Sequence, residues 1–240
     1  MGDMKEFRRG LTDAIPICLG YLAVSFAFGI QASEAGLSVF QASLMSLTNV
    51  TSAGQFSSLD VIKSNASFAE MALLQLVVNI RYMLMSTALS QKLSSKESTL
   101  ARCLVAYGVT DEIFGLSVTR KGRLHPSYSY GLIICSVFGW VLGTFLGAFA
   151  GNIMPDRLIS ALGLAIYGMF LAIIIPETRE STSVMAVVIG SMVLSSIFTY
   201  APGLRTISSG FRIIIVTVVI ASLAAIIFPR KEEALDEQNI

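Results

Sequence analysis

Residues 71–89 read MALLQLVVNIRYMLMSTAL and hold a single charge, Arg81, within a longer apolar run from Phe68 to Leu89. A helix rises about 1.5 Å per residue, so Arg81 sits on the order of 15 Å from either end, near mid-bilayer if the run spans a membrane. A guanidinium at that depth costs from about 2.5 to more than 10 kcal/mol against lipid, so it is expected to face protein or water and to have a partner. Snorkelling to a surface is difficult from there. The reading of this one stretch, a spanning helix with a charge at its centre, decides the class of the molecule and points to its working part.

The remainder of the chain agrees. Of 240 residues, 54% are hydrophobic and only 14% charged. Charge-free runs at 14–33, 39–59, 124–155, 158–176, 181–204 and 213–229 approach or exceed the roughly 20 residues a spanning helix needs. Uniformly apolar runs do not suit a transmembrane barrel, whose strands alternate over about ten residues. The expected fold is therefore all-α and polytopic, with residues 1–230 as one transmembrane transport domain and 231–240 as a polar C-terminal tail. The first run follows Lys5, Arg8 and Arg9 without an A-x-A site after it, so it reads as an uncleaved helix, with Pro16 and Gly20 marking a kink. Cys18, Cys103 and Cys135 lie in separate apolar segments, and His125 is the only histidine. Neither a disulfide framework nor a metal site is indicated, and no cofactor motif is present. A net charge of +1 without a basic stripe beside aromatics argues against nucleic acid.

Two segments are unlike ordinary spans. Residues 43–59, SLMSLTNVTSAGQFSSL, and 102–118, RCLVAYGVTDEIFGLSV, are rich in Ser, Thr, Asn, Gln and Gly, and the second carries two acids. If every segment crosses, there are eight passes, and Lys and Arg divide 10 inside against 6 outside with the N-terminus inside. If both polar segments are broken or re-entrant, about six full spans remain and the division sharpens to 12 against 4. Irregular backbone at membrane depth is tolerated where it lines a cavity or is buried in protein. The strings VTSAGQF (50–56) and VTDEIFG (109–115) begin alike, which hints at an inverted repeat. Both topologies stay open at this point.

Polar side chains inside these segments are the candidate site. Asp111 and Glu112 are adjacent, hence about 100° apart on a helix, so one can pair with Arg81 while the other meets substrate, a proton or water. The plainer reading places them in a shallow solvated loop. Gln75, Asn79 and Tyr82 fall at i, i+4 and i+7 on one face, away from Arg81, and interhelical hydrogen bonds explain them as well as function does. Asn49, Gly54 and Gln55, with Thr51 and Ser52, offer amide donors and carbonyl acceptors to a zwitterion if the chain unwinds there. Ser67 with Glu70 and Ser94 with Glu97 match capping boxes at helix starts. Gly131, Gly139, Gly143, Gly147 and Gly151, with Cys135, recur every four residues and form a stripe for close helix packing. Trp140 lies inside the same helix and is not an evident interfacial anchor. Nucleotide-binding loops, HExxH pairs and nucleophile elbows are missing, so no enzyme or ATP motor is expected.

Four strings in order, FRRGLTDAIPICLGYLAVSFAFG (7–29), AGQF (53–56), VVNIRYMLMS (77–86) and TDEIF (110–114), resemble the AzlC family, the large membrane subunit of bacterial branched-chain amino acid exporters. Its NxRY pattern is met by Asn79, Arg81 and Tyr82, and the likeness runs from residue 7 to about 200. The resemblance implies a multi-pass protein of the bacterial cytoplasmic (inner) membrane that works with a small hydrophobic AzlD-like subunit. It implies export of leucine, isoleucine, valine or methionine, driven by protons. A non-transporting scaffold or sensor, and a passive channel for small zwitterions, are the alternatives.

Overall fold

The computed structural model describes residues 2–151, 171, 174–176 and 178–228. The expected span at 158–176 lies almost wholly outside the described residues, as does the tail at 231–240. Among the described residues, secondary structure is helical apart from a single bridge pair, and five helices are long and apolar enough to cross a membrane. The chain opens with α1 (Gly2–Asp13), which is polar, and turns at Ala14 into α2 (Ile15–Glu34). Pro16 sits in the first turn of α2, where its missing N–H costs nothing. It marks a boundary between two helices rather than a kink within one.

The first polar segment is a hairpin of two half-helices, α3 (Val39–Thr48) and α4 (Ser52–Lys63), parted by Asn49–Thr51. Ser38 and Gln41 cap the outer end of α3 reciprocally. Then comes α5 (Phe68–Lys92), followed by a second hairpin of α6 (Thr99–Tyr107) and α7 (Asp111–Thr119) parted by Gly108–Thr110. Next is α8 (Pro126–Gly151), and further on α9 (Thr182–Tyr200) and α10 (Ser209–Ile227).

Contacts fix the direction of each arm. Ser46 meets Thr144, while Ala42 and Leu59 join Phe28, Ala32 and Ala148 in one buried cluster. Thus α3 runs inward against α8, and α4 runs back out to the level where α3 began. In the second hairpin, Arg102 near the start of α6 donates to Ser94 O (2.9 Å), and Lys92 donates to Val118 O (2.5 Å) and Arg120 O (2.6 Å) at the end of α7. Both arms therefore begin and end beside the C-terminus of α5. The two polar segments are re-entrant from opposite sides, which rejects the straight eight-pass reading. Lys92 also neutralises the carbonyl end of α7, the favourable place for a cation.

An inverted repeat emerges from this order, a spanning helix with a re-entrant hairpin hung on its C-terminal end, used twice in opposite directions. The ends of α2 and α5 are 58 residues apart, Glu34 to Lys92, and the tip caps Thr51 and Thr110 are 59 apart. The shared V-T of the two strings is the shared tip.

α8 runs parallel to α1 and α2, stitched along the glycine stripe. A Cβ at Gly131, Gly139, Gly143 or Gly147 would lie 1.9–2.4 Å from the backbone oxygens of Phe7, Cys18, Leu22 and Phe26 respectively. Gly151 has more room, its nearest neighbour being Ser33 at 3.2 Å. Such approach replaces side-chain packing with backbone contact and Cα–H···O interactions. At the α1 end, Arg120 pairs with Glu6 at 2.6 Å and covers the Tyr128 ring at 3.9 Å, while Tyr128 donates to Asp13 at 2.9 Å. The Arg120 guanidinium holds the Glu6 carboxyl below its ordinary range.

Two capping expectations change. Ser67 does cap α5, but the Glu70 carboxylate turns away to accept from Ser208 Oγ and from Phe211 N–H (3.2 Å) at the start of α10. The start of α6 is capped by Ser98 rather than by Ser94, whose Oγ accepts from Lys96 N–H instead.

Candidate functional site

The hairpin tips meet at the middle of the helix layer, because both polar segments turn back after about ten residues, or half a membrane thickness. Tyr107 at the end of α6 donates to Leu47 O at the end of α3, joining tip to tip. Between the tips lies a cavity of about 30 Å³, room for a water or two, lined among others by Tyr21, Val50, Ser52, Tyr82, Thr110 and Trp140. Asp111 and Glu112 complete its wall.

Arg81 reaches across from α5 to Asp111, with Nη1 to Oδ2 at 2.8 Å, and its guanidinium lies 5.1 Å from the Tyr82 ring centre. Glu112 turns the other way, to the Tyr21 hydroxyl at 2.5 Å; that hydroxyl is also 2.7 Å from Thr110 Oγ1. A phenol has one proton, and the carboxylate is the stronger acceptor, so Tyr21 donates to Glu112 and Thr110 can donate to Tyr21. Thr110 Oγ1 accepts from Ile113 N–H and so caps α7. The acids occupy the first turn of α7, where the helix dipole favours negative charge. They sit at the tip of a deep hairpin, not in a shallow loop.

Gln75 and Asn79 face the other hairpin. Gln75 Nε2 donates to Gly54 O (2.9 Å) and Ser58 Oγ (2.5 Å), and Asn79 Nδ2 donates to Gln75 Oε1 (2.8 Å). Gly54 makes this approach possible, since a Cβ there would lie 2.3 Å from Thr51 Oγ1 and 2.7 Å from Gln75 Oε1. Gln55 is fully buried in a chain of neutral hydrogen bonds: Trp140 Nε1 donates to its oxygen (2.7 Å), and its Nε2 donates to Ser46 Oγ (2.9 Å). Ser46 in turn meets Thr144 at 2.7 Å, and Thr144 donates to Trp140 O. Asn49 ends α3, partly buried, beside the cavity-lining Val50. The tips differ in one respect: Thr110 caps its helix, whereas Thr51 makes no capping bond and its buried Oγ1 has no partner.

Sequence reasoning did not single out Tyr21, Ser46 or Thr144, and noted Trp140 only as a residue that is not an evident interfacial anchor. Tyr21 and Trp140 pack edge to face at 5.2 Å, and both contribute through the parallel seam of α2 and α8, which no local pattern announces. The available signal was a lone tryptophan, four residues before a threonine, inside a helix of small residues.

Spanning helices around two opposed re-entrant hairpins, whose tips enclose a polar centre, define a polytopic α-helical membrane protein of the broken-helix kind. The chain belongs to the AzlC family: the family model described as AzlC protein matches residues 16–154, from the first turn of α2 to just past α8. It is similar to an "Uncharacterized membrane protein" of Archaeoglobus fulgidus, 32% identical over 175 residues, covering 72% of this chain and 76% of that one. It is also similar to "Inner membrane protein YgaZ" of Escherichia coli, 26% identical over 202 residues, covering 80% and 82%. No solved structure matches the chain.

Proposed function

We propose that this protein exports branched-chain amino acids (leucine, isoleucine, valine and methionine as a close relative in shape) across the bacterial cytoplasmic membrane, coupled to protons and without chemical conversion. The observation that carries the reading is the central cavity between opposed tips, with two carboxylates on one side and the uncapped N-terminus of α4 on the other. A zwitterion needs both: Asp111 or Glu112 for its ammonium, and amides near Ser52 with Thr51 for its carboxylate. Tyr21, Tyr82 and Trp140 supply apolar walls. At about 30 Å³ the cavity has room for no more than water, so admitting a substrate requires the hairpin tips to part, as an alternating-access cycle would have them do. Arg81 either anchors substrate or releases Asp111 when a proton arrives; the ion pair is the coupling element in both cases.

The Arg81–Asp111 pair also supports a partner. Their side chains are 45% and 48% exposed at mid-membrane depth, which lipid does not tolerate, so a small hydrophobic subunit of the AzlD type covers this face of α5. With re-entrant hairpins the basic residues divide 12 to 4 in favour of a cytoplasmic N-terminus. The test is counterflow of labelled leucine in proteoliposomes, with and without the small subunit and an imposed pH gradient. Flux should need the partner, become concentrative with the gradient, and fall at least tenfold in Arg81→Ala. Normal leucine flux by correctly inserted Arg81→Ala protein would sink the mechanism, and no amino acid flux in any arm would favour a scaffold or sensor.

A further inference from the structure

A second cleft, about 210 Å³ in volume, opens between α5 and α6 on the side where α6 and α7 enter the membrane. Leu89, Leu93, Val105 and Val109 line it, Cys103 lies on its wall, and Arg102 stands at its outer end. It is several times larger than the central cavity, yet continuous with it in the chain, since Val109 lines the cleft and Thr110 the cavity. Arg102 contributes a charge but has only neutral acceptors among the described residues: Ser94 O at 2.9 Å, with longer contacts to Ser90 O and Oγ. A guanidinium meeting only neutral oxygens beside an apolar slot is complementary to a molecule with an aliphatic body and a terminal carboxylate.

We infer that the α5–α6 cleft is a second amino-acid station, in which an aliphatic side chain lies against Leu89, Leu93, Val105 and Val109 and the substrate carboxylate meets Arg102. The inference rests on the transport reading above and extends it. The central cavity holds no amino acid as it stands, so the substrate needs a waiting position from which the α6–α7 tip can admit it. This cleft is beside that tip and large enough. Its occupant leaves when the Tyr21–Glu112 and Arg81–Asp111 contacts break and Val109 moves with its hairpin.

Native Cys103 reports on occupancy, since it is exposed on the cleft wall while Cys18 and Cys135 are partly buried. Full-length protein co-reconstituted with the small hydrophobic subunit in proteoliposomes is alkylated with a maleimide in the presence of leucine, leucinol or glycine, and the modified cysteine is located by mass spectrometry. Leucine should slow Cys103 alkylation several-fold, and leucinol, which lacks the carboxylate, should not. Arg102→Gln should raise the leucine concentration needed for protection at least tenfold, and Val105→Trp, which fills the slot, should abolish protection. Leucine counterflow is measured in parallel on the same vesicles. Intact counterflow with an alkylation rate indifferent to leucine overturns the second station and leaves the transport reading standing. Protection that follows anionic phospholipid content instead of leucine makes the cleft a lipid site and equally overturns it. Absence of counterflow together with absence of protection overturns both.

Discussion

At Gly54 a single hydrogen atom decides whether two helices can meet. A methyl group there would press on Thr51 Oγ1 and on the amide oxygen of Gln75, whose amide nitrogen holds α4 to α5 through Gly54 O and Ser58 Oγ. Gly54→Ala is expected to destabilise the protein by about 1–3 kcal/mol, read as a lowered thermal midpoint of the purified protein in detergent. Gly115 in α7 has nothing within 4 Å of the same virtual Cβ. Gly115→Ala should therefore raise the midpoint slightly, because alanine is better than glycine in a helix by up to about 1 kcal/mol. Trp140→Phe leaves the buried Gln55 oxygen without its donor. It should cost about 1–3 kcal/mol in the same assay, the penalty of an unmet buried acceptor. Arg81, Asp111 and Glu112 were visible in the sequence as charges in the wrong solvent. Tyr21 and Trp140 were not, because a tyrosine or tryptophan in an apolar helix breaks no rule and its hydrogen-bond partner lies 85 to 91 residues away.

Among the elements, the two hairpins are fastened in different ways. The α3–α4 hairpin is held by buried neutral bonds through Gln55, Ser46, Thr144 and Trp140. The α6–α7 tip is held by titratable groups, half-exposed at Asp111. Their re-entrance was legible only indirectly, from polar composition and the better division of basic residues, since helical periodicity looks the same in a helix that crosses and in one that turns back. Site-directed labelling resolves the two. In a background lacking the native cysteines, Ser95→Cys and Lys121→Cys flank the second hairpin and should react with a membrane-impermeant maleimide from the same side; a straight crossing puts them on opposite sides. The seam between α2 and α8 makes a sharper stability prediction. Because the atoms nearest to Gly147 are all backbone atoms of Phe26, nothing flexible can yield there. Gly147→Leu should abolish a monodisperse peak in size-exclusion chromatography, whereas Gly20→Ala, with open space around it, should leave the peak unchanged.

For the whole molecule, α1 is tied to the far end of the second hairpin by Glu6 and Arg120. Because the carboxyl of Glu6 is depressed below 4.5, the pair contributes fully above that pH and fades as pH falls through the lowered value. Thermal midpoints of wild type and Glu6→Gln should differ at neutral pH and converge in acid; a constant gap would show that Glu6 acts by packing alone. The five long apolar helices among the described residues were legible from composition, but the pairing of the first of them with α8 was not, because a glycine stripe does not say which helix it receives.

That pairing has a consequence for how the chain is made. Cys18 and Gly139 touch, yet 121 residues separate them. At a synthesis rate of about 5–20 residues per second, α2 waits in the membrane for roughly 6–24 s before its partner is even translated. During that interval the backbone oxygens that later receive the glycine stripe face lipid or an insertase. A ribosome stalled before residue 126 would leave α2 without the helix it is shaped for, and such a nascent chain should be held by the insertion machinery and cleared by membrane proteases rather than released as a half-built core.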